Sequence, residues 1–320
     1  MQPNIAPYIS WAIGAGFASA VMLAAAARVP AVAAPLLFLT GLPIAVSGLV
    51  SNAGTAVAAA LVSALLLGVV IGLPVALAHS ALVAMPVAFL VHRALLQREP
   101  AGGGTEWYPP GRIGLWAALI GGCISAVGLM LASGGGDVEK LEAGLKQGIE
   151  SSLQAGIWGL GAQAPVNEEQ KVHLVQVMLA VLPGTLAALS MLSLIACLWL
   201  GGHLALASGR LVRPWPDIAS FSFPAGTPLL LAVTLAGGFL LEGFPRLIVE
   251  GFAGALFTAY VLAGLAIVHH TTRGIHGRGA ILGAVYAALI FFSGLAALVL
   301  AMTALVDAFM PLRRPTSGSN

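Results

Sequence analysis

Charged side chains make up only 8% of the 320 residues, against about 25% in a typical soluble chain. A surface that faces water all round cannot be built from so few, which excludes a soluble globular fold. The charge is also balanced, 14 Lys and Arg against 12 Asp and Glu. That leaves no broad basic face of the kind nucleic acid requires. Cysteine is scarce too. Cys123 and Cys197 both fall in apolar runs, where a thiol behaves as a small hydrophobe, so the chain has no disulfide framework and its redox compartment is not legible. The opening "MQPNIAPYIS" holds no Lys or Arg. The basic region of a secretory signal peptide is therefore missing, and the first apolar segment is expected to stay as a helix.

Chemistry-bearing motifs are missing as well. The chain has no GxxxxGK[ST], no HExxH, no GxSxG and no paired intramembrane carboxylates, which argues against an enzyme, a cofactor or a built-in energy source. Three histidines, His269, His270 and His276, raise a metal site. Adjacent histidines point apart on a helix and no acid stands near to support them, so the expectation is a basic helix end without metal.

What is abundant is hydrocarbon, 59% of residues. Apolar runs at 8 to 27, 31 to 50, 53 to 73, 74 to 95, 113 to 132, 183 to 207, 227 to 243, 247 to 269 and 279 to 309 approach or exceed the roughly 18 residues that read as a membrane span. The expected fold is all-α, a polytopic membrane bundle of nine helices, with eight as the alternative, in a single membrane domain over 1–320. Short connections such as "SNAG" (Ser51 to Gly54) and "GLP" (Gly72 to Pro74) make residues 1–95 a tight four-helix block. "HRALLQREPAGGGTEWYPPGR" (His92 to Arg112) reads as a surface loop, and Pro183-Gly184 should kink the entry to the sixth span. Between 133 and 171, Val138, Leu141, Leu145, Ile149 and Leu153 recur at helical spacing after Asp137, a candidate N-cap. This is an amphipathic helix that lies on the membrane interface or against the bundle, with residues 172–310 supplying the remaining spans.

Basic residues orient such a chain, because loops rich in Lys and Arg stay in the cytoplasm. Arg93, Arg98 and Arg112 mark one loop, Arg210 and Arg213 a second, and Arg273 and Arg278 a third; the 137 to 171 loop carries three Lys and six acids. The latter is placed outside and the N-terminus inside. With nine crossings the tail bearing Arg313 and Arg314 would end outside, against the rule, unless a segment near 227 to 250 does not cross fully.

Four small residues, Ala12, Gly16, Ala20 and Ala24, stand four apart and bare one face of the first span for close helix packing, within the chain or with another subunit. Ionisable groups near the membrane are few, and each is costly there. Glu242, Arg246 and Glu250 stand at i, i+4 and i+8; with Pro245 among them they form either a solvated turn or a substrate-facing pocket on the outer side. His79 is the most interior histidine, either bonded to a neighbouring carbonyl or part of a binding site. Arg28 reads as a snorkelling anchor. In "SGRLVRPWPDIASFSFPAG", Arg210 and Arg213 are cytoplasmic anchors and Trp215 is an interfacial aromatic. Pro214 and Pro216 hold an extended path to Asp217, and Phe221 and Phe223 alternate with serines like a strand lying flat on the interface.

That stretch, with "LWLGGHLALASGR", "VLAGLAIVHH", "LVDAFMPLRR" and "EWYPPGRIGLW", resembles the proteobacterial branch of the YybS-like predicted membrane proteins, the family called domain of unknown function 2232. The resemblance covers nearly the whole chain. It implies a multi-pass bacterial inner-membrane protein, grouped with the substrate-binding S components of energy-coupling-factor transporters, and it carries over no functional residues. The reading that results is a subunit that holds a small molecule in its outer half and relies on a separate ATPase module; the alternative is a non-transporting scaffold that organises other membrane proteins. The orientation is open to a direct check. A cysteine placed near Glu142 is expected to react with a membrane-impermeant thiol reagent in intact cells while one near Arg213 does not, and the reverse pattern would invert the topology.

Overall fold

The computed structural model of the protein describes residues 6–154, 167–217 and 221–310. The fold is an all-α polytopic membrane protein: among the described residues seven helices are long and apolar enough to cross a bilayer, and three shorter apolar helices accompany them. Two compact units divide the chain, residues 1–117 with 191–224, and residues 118–190 with 225–320. Two of the three boundaries fall inside long helices, and the third falls in the polar stretch before Thr227.

In the first unit α1 (Ala6–Arg28), α2 (Pro30–Leu39), α3 (Leu42–Leu49), α4 (Ala53–Val70), α5 (Leu73–His79) and α6 (Met85–Ala94) follow one another with almost no loop. Gly41, with Pro43 in the first turn of α3, interrupts the ladder between α2 and α3, which together make the expected second span, Pro30–Leu49. Asn52 caps α4 by accepting the Thr55 N–H at 3.0 Å. A π-helical turn, Ser80–Ala84, joins α5 to α6, so Leu73–Ala94 is one continuous span with a wider turn inside it.

The α1–α4 seam holds this unit together. On α1 the buried residues Ala12, Ala15, Gly16, Ser19 and Ala20 meet Thr55, Ala56, Ala59, Ala60, Ser63 and Leu67 of α4. A Cβ on Gly16 would stand 2.6 Å from the Ala59 carbonyl and 2.7 Å from Val62, so the backbones touch there, as small-residue packing in lipid requires. The partner of this face is thus a helix of the same chain. Ala20 continues the seam into a cluster with Leu67 and Ala76, and Ala24 is half-buried beyond it.

The polar connection between α6 and α7 (Pro110–Ala132) is a small hairpin in which β1 (Gln97–Arg98) pairs antiparallel with β2 (Glu106–Trp107). After α9 (Glu168–Ala207), Phe221 and Phe223 set their rings edge to face 4.8 Å apart. They lie on the start of α7, where a Cβ on Gly114 would stand 2.9 Å from the Phe221 ring. Residues 221–224 therefore pack on a helix and form no strand.

In the second unit α8 (Val138–Gln154) is the amphipathic helix, and its apolar face is turned to the bundle. Leu141 is buried with Leu129 of α7 and Leu247 of α11 (Gly243–Thr271), and Val138, Leu145, Leu179, Leu182 and Phe244 close around them. Asp137 caps α8 through the Lys140 N–H at 3.2 Å; that bond pulls its carboxyl below the usual carboxylate range. Lys146 and Lys171 both reach Glu168, at 3.0 and 2.8 Å, tying α8 to the first turn of α9. Helix α9 starts at Glu168, well before the expected 183, because Asn167 and Gln170 exchange side-chain bonds to each other's N–H at 3.0 and 2.8 Å, a capping box. It runs on through Pro183 as one 40-residue helix.

Helix α10 (Thr227–Leu240) has 14 residues and reaches only about 21 Å, short of the roughly 30 Å hydrocarbon core. The expected last span is broken at Phe292, where φ is −127° and ψ 45°, into α12 (Arg278–Phe291) and α13 (Ser293–Phe309). Arg313 and Arg314 lie outside the described residues. Helix α13 packs on α11, and a Cβ on Gly264 would collide with the Leu300 carbonyl.

The close contact of α1 with α4 yields a matched pair of substitutions on one helix. Nothing stands within 4 Å of where a Cβ on Gly14 would lie, so Gly14→Ala should be neutral or stabilise by up to about 1 kcal/mol through helix propensity. Gly16→Ala should destabilise by about 1 to 3 kcal/mol through overpacking. Thermal melts of the two variants in detergent test this, and equal melting temperatures would remove the seam.

Candidate functional site

The sequence offers two polar candidates, and the structure places them in different units. His79 belongs to the first. It ends α5 just before the π turn and is only 5% exposed. Its Nε2 stands 3.1 Å from Ser19 Oγ. Ser19 donates its one proton to the Thr40 carbonyl at 2.8 Å, so the hydroxyl oxygen is left to accept, and Ser63 Oγ approaches it at 3.4 Å. The network thereby assigns a proton of His79 to Nε2, which donates to the Ser19 oxygen. Ser19, Ser63 and Thr40 are all buried. Helices α1, α4 and α5 and the end of α2 thus meet at a polar knot inside an apolar block. Its partner is a hydroxyl, whereas the sequence pointed to a carbonyl; Ser19, Ser63 and Thr40 carry no local signal, since the bonds join residues 21 to 60 positions apart.

The second candidate lies at the start of α11. Glu242 is the exposed residue before the helix, with extended φ and ψ and no side-chain capping bond. Pro245 falls in the first turn, where its missing N–H has no ladder partner to lose, so the helix is continuous from Gly243. Arg246 and Glu250 therefore form an i, i+4 pair with Nε to Oε1 at 2.7 Å, the arginine half exposed and the glutamate 20% exposed. Glu242 does not join them in a ladder. The other carboxylate oxygen, Glu250 Oε2, is buried and has no hydrogen-bond partner among the described residues.

Glycine sets the surroundings of Glu250. A Cβ on Gly238 of α10 would stand 3.5 Å from the Glu250 Cγ. One turn further along α11, Gly254 meets Gly184 of α9 so closely that a Cβ on it would collide with the Gly184 backbone. On α7, Ser125 donates to the Pro183 carbonyl at 2.8 Å, and a Cβ on Gly251 would come within 3.1 Å of that hydroxyl. Helices α7, α9 and α11 thus cross almost backbone to backbone just beneath the carboxylate, and α8 packs on Phe244 and Leu247 beside it. Such an arrangement holds one fixed acceptor at the end of a rigid crossing and can take a donor.

Of the loop residues singled out by sequence, Arg213 is more deeply built in than a membrane anchor, while Arg210 and Asp217 are exposed. Arg213 is only 8% exposed. It donates from Nη1 to the Ala94 carbonyl at 2.9 Å and so caps the C-terminus of α6, where a cation is favoured; burial holds its pKa below the usual arginine value. Arg210 stands over the Trp11 ring at 5.9 Å. Trp215 packs on His203 at 4.2 Å and over Gly202; Asp217 is exposed. In the second unit His269 meets the Tyr286 hydroxyl at 3.0 Å, and His276 is exposed. Among the described residues no group of three His, Cys, Asp or Glu could hold a metal.

The sequence profile of a family of predicted membrane proteins, DUF2232, matches residues 17–308. No curated protein and no solved structure matches the chain. The polar knot can be tested by itself. Ser19→Ala strips the bridge between His79 and the Thr40 carbonyl and is expected to cost about 1 to 3 kcal/mol, the range for an orphaned buried polar group. Ser63→Ala, with its long contact, should cost less. Denaturation of both variants in mild detergent would measure the difference, and equal losses would mean that Ser19 is not the centre of the network.

Proposed function

The chain belongs to the predicted membrane protein family DUF2232, and from that premise we propose that it is a substrate-binding subunit of a bacterial inner-membrane transporter. The observation that carries this reading is Glu250: one carboxylate oxygen is held by Arg246, and the other is shut away from solvent without a partner among the described residues. An acceptor kept dry and unsatisfied is costly. A small polar molecule with an N–H, O–H or ammonium group would repay that cost on binding. Helix α8, packed on Phe244 and Leu247, is positioned to cover the bound molecule. With no nucleotide motif in the chain, transport would draw on a separate ATPase module.

Thermal stability in detergent, measured with a panel of vitamins, amines and amino acids, tests the proposal. A true ligand at about 100 times its Kd stabilises by roughly 2.7 kcal/mol. We expect such a shift for wild type, its loss in Glu250→Gln and Arg246→Ala, and its retention in Glu242→Ala, which should itself lie within about 0.5 kcal/mol of neutral. No response from any of the proteins, together with no ATPase recovered on gentle purification, would favour the scaffold.

A further inference from the structure

A separate feature of the first unit is a cleft at the hairpin between α6 and α7. Its volume is about 180 Å³, and Gln97, Arg98, Glu106, Trp107, Tyr108 and Arg112 are among the side chains that line it. Its charge is lopsided. Arg98 and Arg112 face one lining carboxylate, Glu106, which Arg98 holds at 2.7 Å. Arg112 has no carboxylate within ion-pair distance among the described residues, and its guanidinium lies 6.0 Å from the Tyr108 ring.

The aromatic walls add to this field. The guanidinium of Arg213 stands 5.7 Å from the Trp107 ring, and that of Arg93 stands 5.9 Å from the Tyr108 ring. Arg93 is also 4.9 Å from Phe89 and 5.3 Å from Trp116. The Nε atoms of Arg93 and Arg213 are buried without a hydrogen-bond acceptor among the described residues. Two arginines thus line a space in which one carboxylate is already engaged, and two more stand against its aromatic walls.

The height of the cleft along the chain identifies the anion. One candidate span, Leu73–Ala94, ends two residues before Gln97's neighbour Leu96, and another, Pro110–Ala132, begins directly after Pro109. The cleft therefore opens where two membrane helices end, at headgroup depth, with Trp107 and Tyr108 as the interfacial aromatics expected there. We propose that this cleft binds the phosphate of an anionic phospholipid headgroup, with Arg112 and Arg98 as its direct partners and Arg93 and Arg213 supplying positive potential through the aromatic walls.

Native mass spectrometry of the detergent-purified protein, titrated with phosphatidylglycerol and separately with phosphatidylcholine, reads the binding. Phosphatidylglycerol should be retained in preference. Arg112→Gln is expected to weaken it about fivefold, the effect of one basic residue at an anionic surface, and Arg278→Gln, at a helix start in the other unit, should leave it unchanged. Glu106→Gln frees Arg98 and should strengthen retention, an outcome that a merely structural role for the hairpin would not produce. Equal retention by wild type, Arg112→Gln and Glu106→Gln would overturn the site. Thermal stabilisation by inorganic phosphate as large as that by phosphatidylglycerol would overturn the lipid as its source.

Discussion

Inside hydrocarbon, helices gain nothing by burying Leu against Leu, because lipid is as apolar as the neighbour. Association then rests on how closely two backbones can approach. Both units use this at their centres. In the first, Gly16 of α1 lies against the Ala59 carbonyl of α4; in the second, Gly254 lies against Gly184 and Gly264 against the Leu300 carbonyl. The large apolar side chains are correspondingly turned outward: Val69, Phe239, Leu240 and Phe291 are among the most exposed residues of the molecule, which is the arrangement lipid demands and water would punish.

Once backbones are this close, the polar groups carried along with them must be satisfied at the same seams. Serine does most of this. Ser19 reaches the Thr40 carbonyl, Ser125 the Pro183 carbonyl and Ser193 the Phe38 carbonyl, each a small side chain that spans the gap between helices without prising them apart. Larger polar groups are admitted as well, among them His79, Glu250 and Tyr260. His79 is satisfied through Ser19; Glu250 retains an oxygen without a partner among the described residues. That asymmetry is why the glutamate and not the histidine is taken as the binding group.

Hydropathy alone makes the helices legible, and the small residues of the first span point to a bare face. What sequence leaves open is which helix fills it. The interruption at Phe292 has no proline to announce it, only Ser293 and Gly294 following, so 279–309 reads as one span. The true start of α9 is written in "NEEQ", a capping box that is easily passed over because the apolar run begins later. Arg213 looks like any interfacial arginine; its acceptor is 119 residues away, beyond the reach of local pattern. The separation of His79 from Glu250 into different units is likewise a matter of tertiary contacts, as is the cleft at the hairpin.

The π turn at Ser80–Ala84 sets the phase of the span that contains it. One residue more than the α ladder needs advances every later side chain by about 100° around the axis. His79 and Ala76, before the turn, and Val87, Leu90, Val91 and Ala94, after it, are all buried. Counted on an uninterrupted α-helix, Ala76 and Ala94 stand 18 residues, five turns, apart and would share one face; the π turn instead sets the later residues on a neighbouring face, so the span is buried on two adjoining sides. Loss of one residue within the turn would therefore close it into plain α-helix with both sets still in place, whereas gain of a further one would force the helix to choose between keeping its histidine inside and keeping its later valines inside.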